Sequence, residues 1–353
     1  MEPFVYAPMP TRVIFERGAR TVVAREVERL GCQKPVVVCT SGQKSHAMEV
    51  YALLGESAVG VIDSAIMHTP VEVTERALKK VGELGADCTV AVGGGSAIGL
   101  AKAIALRAGI PQISVPTTYA GSEMTAVVGQ TADGVKTTQK DIRVLPATVI
   151  YDVDFSLNLP VDISATSGMN AIAHAVEALY AQERNPITTL HCLDAIRALN
   201  ESLRIIVNDP TDIPARQQAM YGAFLCGMAL GTVGMSLHHK LCHTLGGSFN
   251  LPHAPTHSVV LPHATSFNTP GAGGALDPLC AILGASSPGA GLWDLAKAIG
   301  VPLSLQAIGM KENQLDEAAK IATANPYWNP RKFDYDDIRH LLGAAYAGER
   351  PPD

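Results

Sequence analysis

The feature that most constrains the fold of this 353-residue chain is a change of texture part-way along it. From Phe4 to about Asp152, short β-branched runs alternate with longer amphipathic ones, the signature of strand–helix–strand units on a parallel sheet. Val36–Cys39, Val59–Asp63, Cys88–Val92, Gln112–Val115 and Ala147–Tyr151 read as strands. Residues 18–30, 43–54, 71–84 and 96–108 space their apolar positions by three and four and read as crossover helices. The run 126–139, with Ala132-Asp133-Gly134 between two short segments, reads as a hairpin. From Leu159-Pro160 onward Ala/Leu-rich helical spacing takes over, at 169–183, 187–208, 214–247, 290–300, 311–322 and 335–347, with a Gly/Pro-rich loop at 268–289. The expected fold class is therefore an α/β domain with a Rossmann-like parallel sheet over residues 1–157, followed by an all-helical domain over 158–353, a division that the length also favours.

Composition narrows the function classes. The net charge of −6 and the scattered basic residues leave no footprint for nucleic acid. No apolar run approaches the ~18 residues of a membrane span, and Met1-Glu-Pro-Phe-Val-Tyr6 lacks both a basic and an apolar leader region. Seven cysteines without a CxxC pair fit reduced thiols better than a disulfide framework. These features point to an unexported, cytoplasmic protein with no nucleic-acid or membrane partner.

Two loops fall where a doubly wound sheet holds its ligand, at the C-terminal ends of strands. Gly93-Gly94-Gly95-Ser96 joins a strand to a helix, so its backbone can approach a ligand closely and the helix N-terminus suits a pyrophosphate. Pro116-Thr117-Thr118-Tyr119-Ala120-Gly121-Ser122 follows the next strand and offers hydroxyls. A single glycine turn also serves as a plain helix entry, but the two loops on neighbouring strands favour a dinucleotide. Lys102, two turns into the helix, reads as a local charge beside that site or as a solvated residue. The first strand is followed not by GxGxxG but by Cys39-Thr40-Ser41-Gly42-Gln43, with no acidic residue for an adenosine ribose.

Residues 236–257 hold five of the eleven histidines. His239 and His243 are spaced i,i+4, as are Asn170 and His174, so each pair shares a helix face. His253 follows Pro252 on what reads as a return loop. His238 lies about 100° round the helix from His239, off that face. One histidine alone is more often structural, whereas four polar positions at matched spacing describe a pocket, and imidazoles gathered this way are usual ligands of a divalent transition metal.

These segments resemble the iron-containing (group III) alcohol dehydrogenases, whose fold is dehydroquinate-synthase-like. GGGSAIGLAK (93–102) resembles the family's GGGSxxDxAK, and PTTYAGSEMT (116–125) its PTTxxxGSE. SGMNAIAHAVEALY (167–180) is similar to GxDAxxHAxEAY, HKLCHTLGGSFNLPH (239–253) to HxxxHxLGxxxxxPH, and Asn329-Pro330-Arg331 to a terminal NPR. The YAGSE form and the altered metal motif most resemble the branch that reduces maleylacetate.

The resemblance carries its implications residue by residue. The family metal is held by an Asp and three His, which fall on Asn170, His174, His239 and His253; with a neutral amide replacing the carboxylate, no metal is required and these four positions are vestigial. The expected cofactor is NADH or NADPH, with Gly93, Gly94, Gly95 and Ser96 at the pyrophosphate, Thr117, Thr118 and Ser122 near the ribose and nicotinamide, and Thr40 and Ser41 at the adenosine ribose. Gly99 replaces a family Asp. The implied reaction is reduction of the carbon–carbon double bond of maleylacetate to 3-oxoadipate in aromatic-compound breakdown, the alternative being a metal-dependent alcohol dehydrogenase or aldehyde reductase. His243 is expected as the acid, His239, His253, His174 and Asn170 as substrate and oxyanion contacts, and Tyr119, Lys140 or Arg331 as the partner of a dicarboxylate substrate. A homodimer, with the pocket opening between the two domains, completes the expectation.

Overall fold

The computed structural model describes residues 3–132 and 135–353. Two compact units result: Pro8–Leu159, and Pro160–Asp353 together with the segment ending at Ala7. The division lies two residues beyond the expected boundary at 157/158, and the first residues belong to the helical unit rather than to the sheet unit that follows them.

The sheet unit runs β1 (Arg12–Phe15), α1 (Val23–Arg29), β2 (Pro35–Val38), α2 (Lys44–Leu54), β3 (Gly60–Ile62), α3 (Val71–Leu84), β4 (Cys88–Gly93), α4 (Gly95–Ala108), β5 (Gln112–Pro116), the pair β6 (Val127–Ala132) and β7 (Val135–Lys140), and β8 (Thr148–Tyr151). Six strands form one sheet in the order β1-β8-β5-β4-β2-β3, every pairing parallel. The middle strands are buried along their whole length, which is why they read as continuous Val/Ile runs rather than alternations. β1 was not foreseen: four residues with a half-exposed pattern give too short a signal beside the stronger runs. β6 and β7 form the expected antiparallel hairpin, while Asp133 and Gly134 of its turn lie outside the described residues.

The helical unit runs α5 (Val161–Tyr180), α6 (Pro186–Ile206), α7 (Ile213–Thr232), α8 (Leu237–Phe249), α9 (His253–Asn268), α10 (Pro278–Leu283), α11 (Pro288–Ala298), α12 (Leu315–Ala324) and α13 (Tyr335–Ala347). α5 is buried on every side from Ser164 to Tyr180 and packs on α6, α7 and α9. Three expectations need correction. The single helix over 214–247 is two, α7 and α8, broken at Val233–Ser236, where Gly234 donates its N–H to Glu183. His253 does not sit on a return loop but opens α9; Pro255 falls in the first turn, where no intrahelical N–H is lost, and Pro262 lies inside the helix. The loop over 268–289 contains the short helix α10. Among the described residues, no single helix is long and apolar enough to cross a membrane.

Candidate active site

α5 brings Asn170, His174 and Glu177 to one face by spacings of four and three. α8 adds His238, His239, Cys242 and His243, and α9 adds His253 and His257. The rings form a contiguous cluster. His174 and His239 have centroids 5.2 Å apart, His239 and His257 5.0 Å, His253 and His257 4.4 Å, and His239 and His243 6.0 Å. His243 is half-buried, and its Nδ1 lies 3.0 Å from the Tyr327 hydroxyl. The sequence-expected Asn170, His174, His239, His243 and His253 thus belong to one cluster.

Glu177 anchors it. The fully buried carboxylate accepts the Ser236 N–H at 2.9 Å and lies 2.7 Å from His239 Nδ1 through Oε2, while Oε1 accepts the His238 N–H at 2.7 Å. No side chain of its own caps α8, so this carboxylate neutralises the orphan donors and positive dipole end of that helix. Glu177 was quoted in the sequence motif but given no role, although its spacing of three from His174 marks the same face.

His238 also needs correction. It is 1% exposed, and its Nε2 lies 2.9 Å from His257 Nδ1, so the angular offset from His239 turns it into a second buried layer rather than out of the site. Burial, reinforced by neighbouring imidazoles, pushes His174, His238 and His257 well below the usual histidine range, and burial takes His263 down to about 4. These rings are neutral at pH 7, suited to directional hydrogen bonding.

The donors fit a divalent ion poorly. Asn170 Oδ1, His174 Nδ1 and His239 Nε2 are buried without a hydrogen-bond partner, which leaves lone pairs open. Yet this set contains no carboxylate. Among the described residues, the three-donor clusters of His, Cys and carboxylate whose ligand atoms lie within 4.8 Å are His238–Cys242–His257 and Cys32–Asp87–Cys88, not His174 with His239 and His253. The one nearby anion, Glu177, is committed to α8 and His239.

In the sheet unit, Gly93 and Pro116 pair across β4 and β5, so the two expected loops leave the sheet side by side. Gly93 adopts φ 144°, a region L-residues rarely enter, and a Cβ on Gly94 would lie 2.7 Å from Thr118 Oγ1. Gly95 is exposed, and nothing lies within 4 Å of where its Cβ would stand. α4 begins there with no side-chain cap, and Thr117 Oγ1 is buried without a hydrogen-bond partner. Open helix-N-terminal N–H groups beside an unsatisfied hydroxyl fit a nucleotide phosphate. Thr118, Ser96 and Ser122 are half-buried around these loops, and beyond β2 Thr40 is half-buried and Ser41 exposed.

Lys102 is neither solvated nor at a surface. It is 0% exposed, and its Nζ donates to Ser122 O, Thr125 O, Thr125 Oγ1 and Val127 O at 2.6–2.9 Å, pinning the chain that follows the second loop. Burial pushes its ammonium down to about 7, against the opposing pull of the nearby Glu123 carboxyl. A Cβ on Gly99 would lie 2.6 Å from Thr69 Oγ1, so Thr69 occupies the space of the family carboxylate.

The three residues offered for the substrate fare differently. Tyr119 is fully buried in the sheet unit, and Lys140 is exposed at the end of β7. Arg331 is half-buried, stacked 4.0 Å from the Phe267 ring with Nη1 donating to the Phe267 carbonyl. Its neighbour Asn329 accepts from Ser236 Oγ and exchanges hydrogen bonds with Asn268, tying the Asn-Pro-Arg segment to the α8 entry and the end of α9. The sheet unit matches the model of the iron-containing alcohol dehydrogenases over residues 10–153, and the helical unit matches the model of that family's C-terminal region over residues 164–346.

The chain belongs to the iron-containing alcohol dehydrogenase family. Its parallel-sheet unit followed by a helical unit is the dehydroquinate-synthase-like architecture of that family. The maleylacetate reductase of Rhizobium sp. (strain MTP-10005) is 52% identical over 351 residues, covering 99% of this chain and 100% of that one. The maleylacetate reductase of Burkholderia cepacia is 49% identical, again across 99% and 100% of the two chains. The crystal structure of a maleylacetate reductase from Agrobacterium tumefaciens superposes with a TM-score of 0.96 at 52% identity, covering 99% of this chain and 100% of that one.

Proposed function

We propose that this member of the iron-containing alcohol dehydrogenase family catalyses the NAD(P)H-dependent reduction of the carbon–carbon double bond of maleylacetate to 3-oxoadipate. The observation that carries the reading is full-length identity of about half to maleylacetate reductases, joined to a histidine cluster from which the family's anionic ligand has gone.

When bound, the nicotinamide supplies a hydride to the alkene carbon conjugated with the ketone. Gly93, Gly94, Gly95 and Ser96 hold the pyrophosphate, Thr117, Thr118 and Ser122 the ribose side, and Thr40 and Ser41 leave room for either NADH or NADPH because neither repels a 2′-phosphate. Electron density moves from the alkene onto the ketone oxygen as an enolate, and the neutral imidazoles and the Asn170 amide stabilise that charge. His243, half-buried and partnered with Tyr327, delivers the proton to carbon. One hydride and one proton complete the saturated product. Arg331 is the cation of the helical unit best supported to meet a substrate carboxylate, since its guanidinium is held at a fixed height over Phe267. No metal is required in this reading, supported by the amide at Asn170 and by ligand atoms of His174, His239 and His253 that, among the described residues, are not in the groups converging within 4.8 Å. A cytoplasmic setting is supported by seven free thiols, and a homodimer follows from the family resemblance.

The test is the decay of NADH absorbance with maleylacetate, before and after prolonged chelation. Activity unchanged by chelator is expected. Loss on chelation with recovery on adding iron or zinc, together with oxidation of simple alcohols, would establish the metal-dependent alternative.

A further inference from the structure

We infer that Glu177 is a positioning residue that fixes the tautomer of His239, forcing the proton onto Nδ1 so that Nε2 is the nitrogen His239 offers to the substrate. The kinetic part of this inference rests on the reduction proposed above.

The argument is one of donors and acceptors. Each oxygen of Glu177 receives a backbone N–H, from Ser236 on Oε2 and His238 on Oε1, and a backbone N–H can only donate. Both oxygens therefore accept, the role of an ionised carboxylate, and Glu177 is taken in that form, with no hydrogen of its own to give. The atom lying 2.7 Å from Oε2 on the imidazole is Nδ1, which must then carry the hydrogen. Nε2 is left buried and without a partner, as are Asn170 Oδ1, His174 Nδ1, His238 Nδ1 and His257 Nε2 of the same cluster. Leaving a buried polar atom unpaired is costly, and His239, with its ring centroid 5.2 Å from that of His174, carries that cost at one ring nitrogen while the other is saturated, an arrangement that presents the first.

The anchor is stiff. The carboxylate comes from the last turns of α5, buried on all sides, and grips the start of α8 through the two N–H groups of Ser236 and His238 just ahead of the histidine it orients. Tyr180, one turn on, places its hydroxyl 3.4 Å from Oε1 and accepts from Asn268 Nδ2 at 3.2 Å, linking the same carboxylate to the end of α9. His239 thus has little freedom to rotate its ring by half a turn, which would set Cδ2–H against Glu177, lose that hydrogen bond and put Cε1 where Nε2 now points.

Two measurements test this. In the wild-type protein with nitrogen-15-labelled histidine, the ring-nitrogen signals of His239, assigned by their loss in His239→Gln, should show a protonated Nδ1 between pH 7 and 8. A neutral ring protonated only at Nε2 overturns the inference, and this readout needs neither turnover nor substrate. In Glu177→Gln the amide nitrogen can donate to Nδ1 and drive the proton to Nε2; kcat for maleylacetate should fall about 10²-fold or more and its pH profile should move, with NADH affinity within a few-fold. Glu177→Asp, which keeps the acceptor, should recover part of the rate and the wild-type profile. Equal losses in both variants with an unmoved profile would reduce Glu177 to a helix cap. If Glu177→Gln does not fold, the nitrogen-15 measurement alone decides. Wild-type enzyme that shows the expected tautomer but does not consume NADH with maleylacetate would count against the proposed reaction and not against the tautomer.

Discussion

The two candidate binding regions are built from opposite materials. In the sheet unit the loops after β4 and β5 work through backbone: glycines clear space, the α4 N-terminus supplies N–H groups, and the buried Lys102 is spent on holding loop carbonyls. In the helical unit the cluster works through side chains: neutral imidazoles from three helices surround each other, and the buried carboxylate Glu177 fixes how they stand. A backbone-built site is tuned by shape and tolerates changes of side-chain chemistry outside its glycines. A side-chain-built site is tuned by protonation state and fails when a single ring changes. The contrast predicts chemistry-selective damage on one side and affinity-selective damage on the other.

The largest effect is expected at His243. His243→Ala should lower kcat by ~10²–10⁴ while leaving NADH affinity within a few-fold, which stopped-flow turnover and fluorescence titration would measure together. Near-normal turnover would return His243 to a pocket-shaping role. His238→Ala should cost stability, because it opens a buried cavity and leaves His257 Nδ1 without its His238 partner.

Next comes acid. His257 and His263 are held below the ordinary histidine value in the fold, so the unfolded chain binds protons first as pH falls below about 6.5. Their stabilising contribution is complete above that pH and is lost on acidification. For His263 the loss runs down to about 4, at roughly 1.4 kcal/mol per pH unit. Denaturant unfolding should weaken steeply from pH 7 to 5, with amide exchange accelerating first in α8 and α9. A flat profile would mean that these rings titrate in the fold as they do in the unfolded chain.

A smaller effect should follow from Gly94→Ala, whose Cβ must displace Thr118. NADH affinity should drop about tenfold or more (~1.4 kcal/mol) with kcat at saturating nucleotide little changed. A kcat loss without an affinity loss would break the division between the regions. Smallest, Thr40→Asp should weaken NADPH relative to NADH by roughly an order of magnitude through repulsion of the 2′-phosphate, read from paired Kd values. Equal effects on both nucleotides would put the adenosine ribose elsewhere.

How much of this was legible in the sequence divides along the same line. Glycines and β-branched runs announce themselves, so the parallel sheet and both loops were found at their true positions. His174, His239 and His243 were found by spacing. Glu177, His238 and Lys102 were not given their places, because a charged or polar residue at helical spacing reads as a solvated face until its surroundings are counted. For Lys102 the signal was present: Ile98, Ala101 and Ala105 lie on the same stripe and are all buried. For Glu177 it was weaker, since its meaning depends on the break between α7 and α8 that brings the N–H groups of Ser236 and His238 to α5. Proline misled in the other direction, turning α9 into a loop although Pro255 falls where a helix tolerates it.

The pairing of Gly99 with Thr69 bears on how substitutions combine. With Thr69 in the left-handed region at φ 45° and its hydroxyl 2.6 Å from where a Cβ on Gly99 would stand, any side chain placed at 99 has to displace Thr69. A glycine at 69 would relieve the backbone and clear that space together. The two positions therefore act as a coupled pair: the cost of Gly99→Asp should be smaller in a Thr69→Gly background than in the wild-type chain, a non-additivity that a double-mutant cycle reads directly.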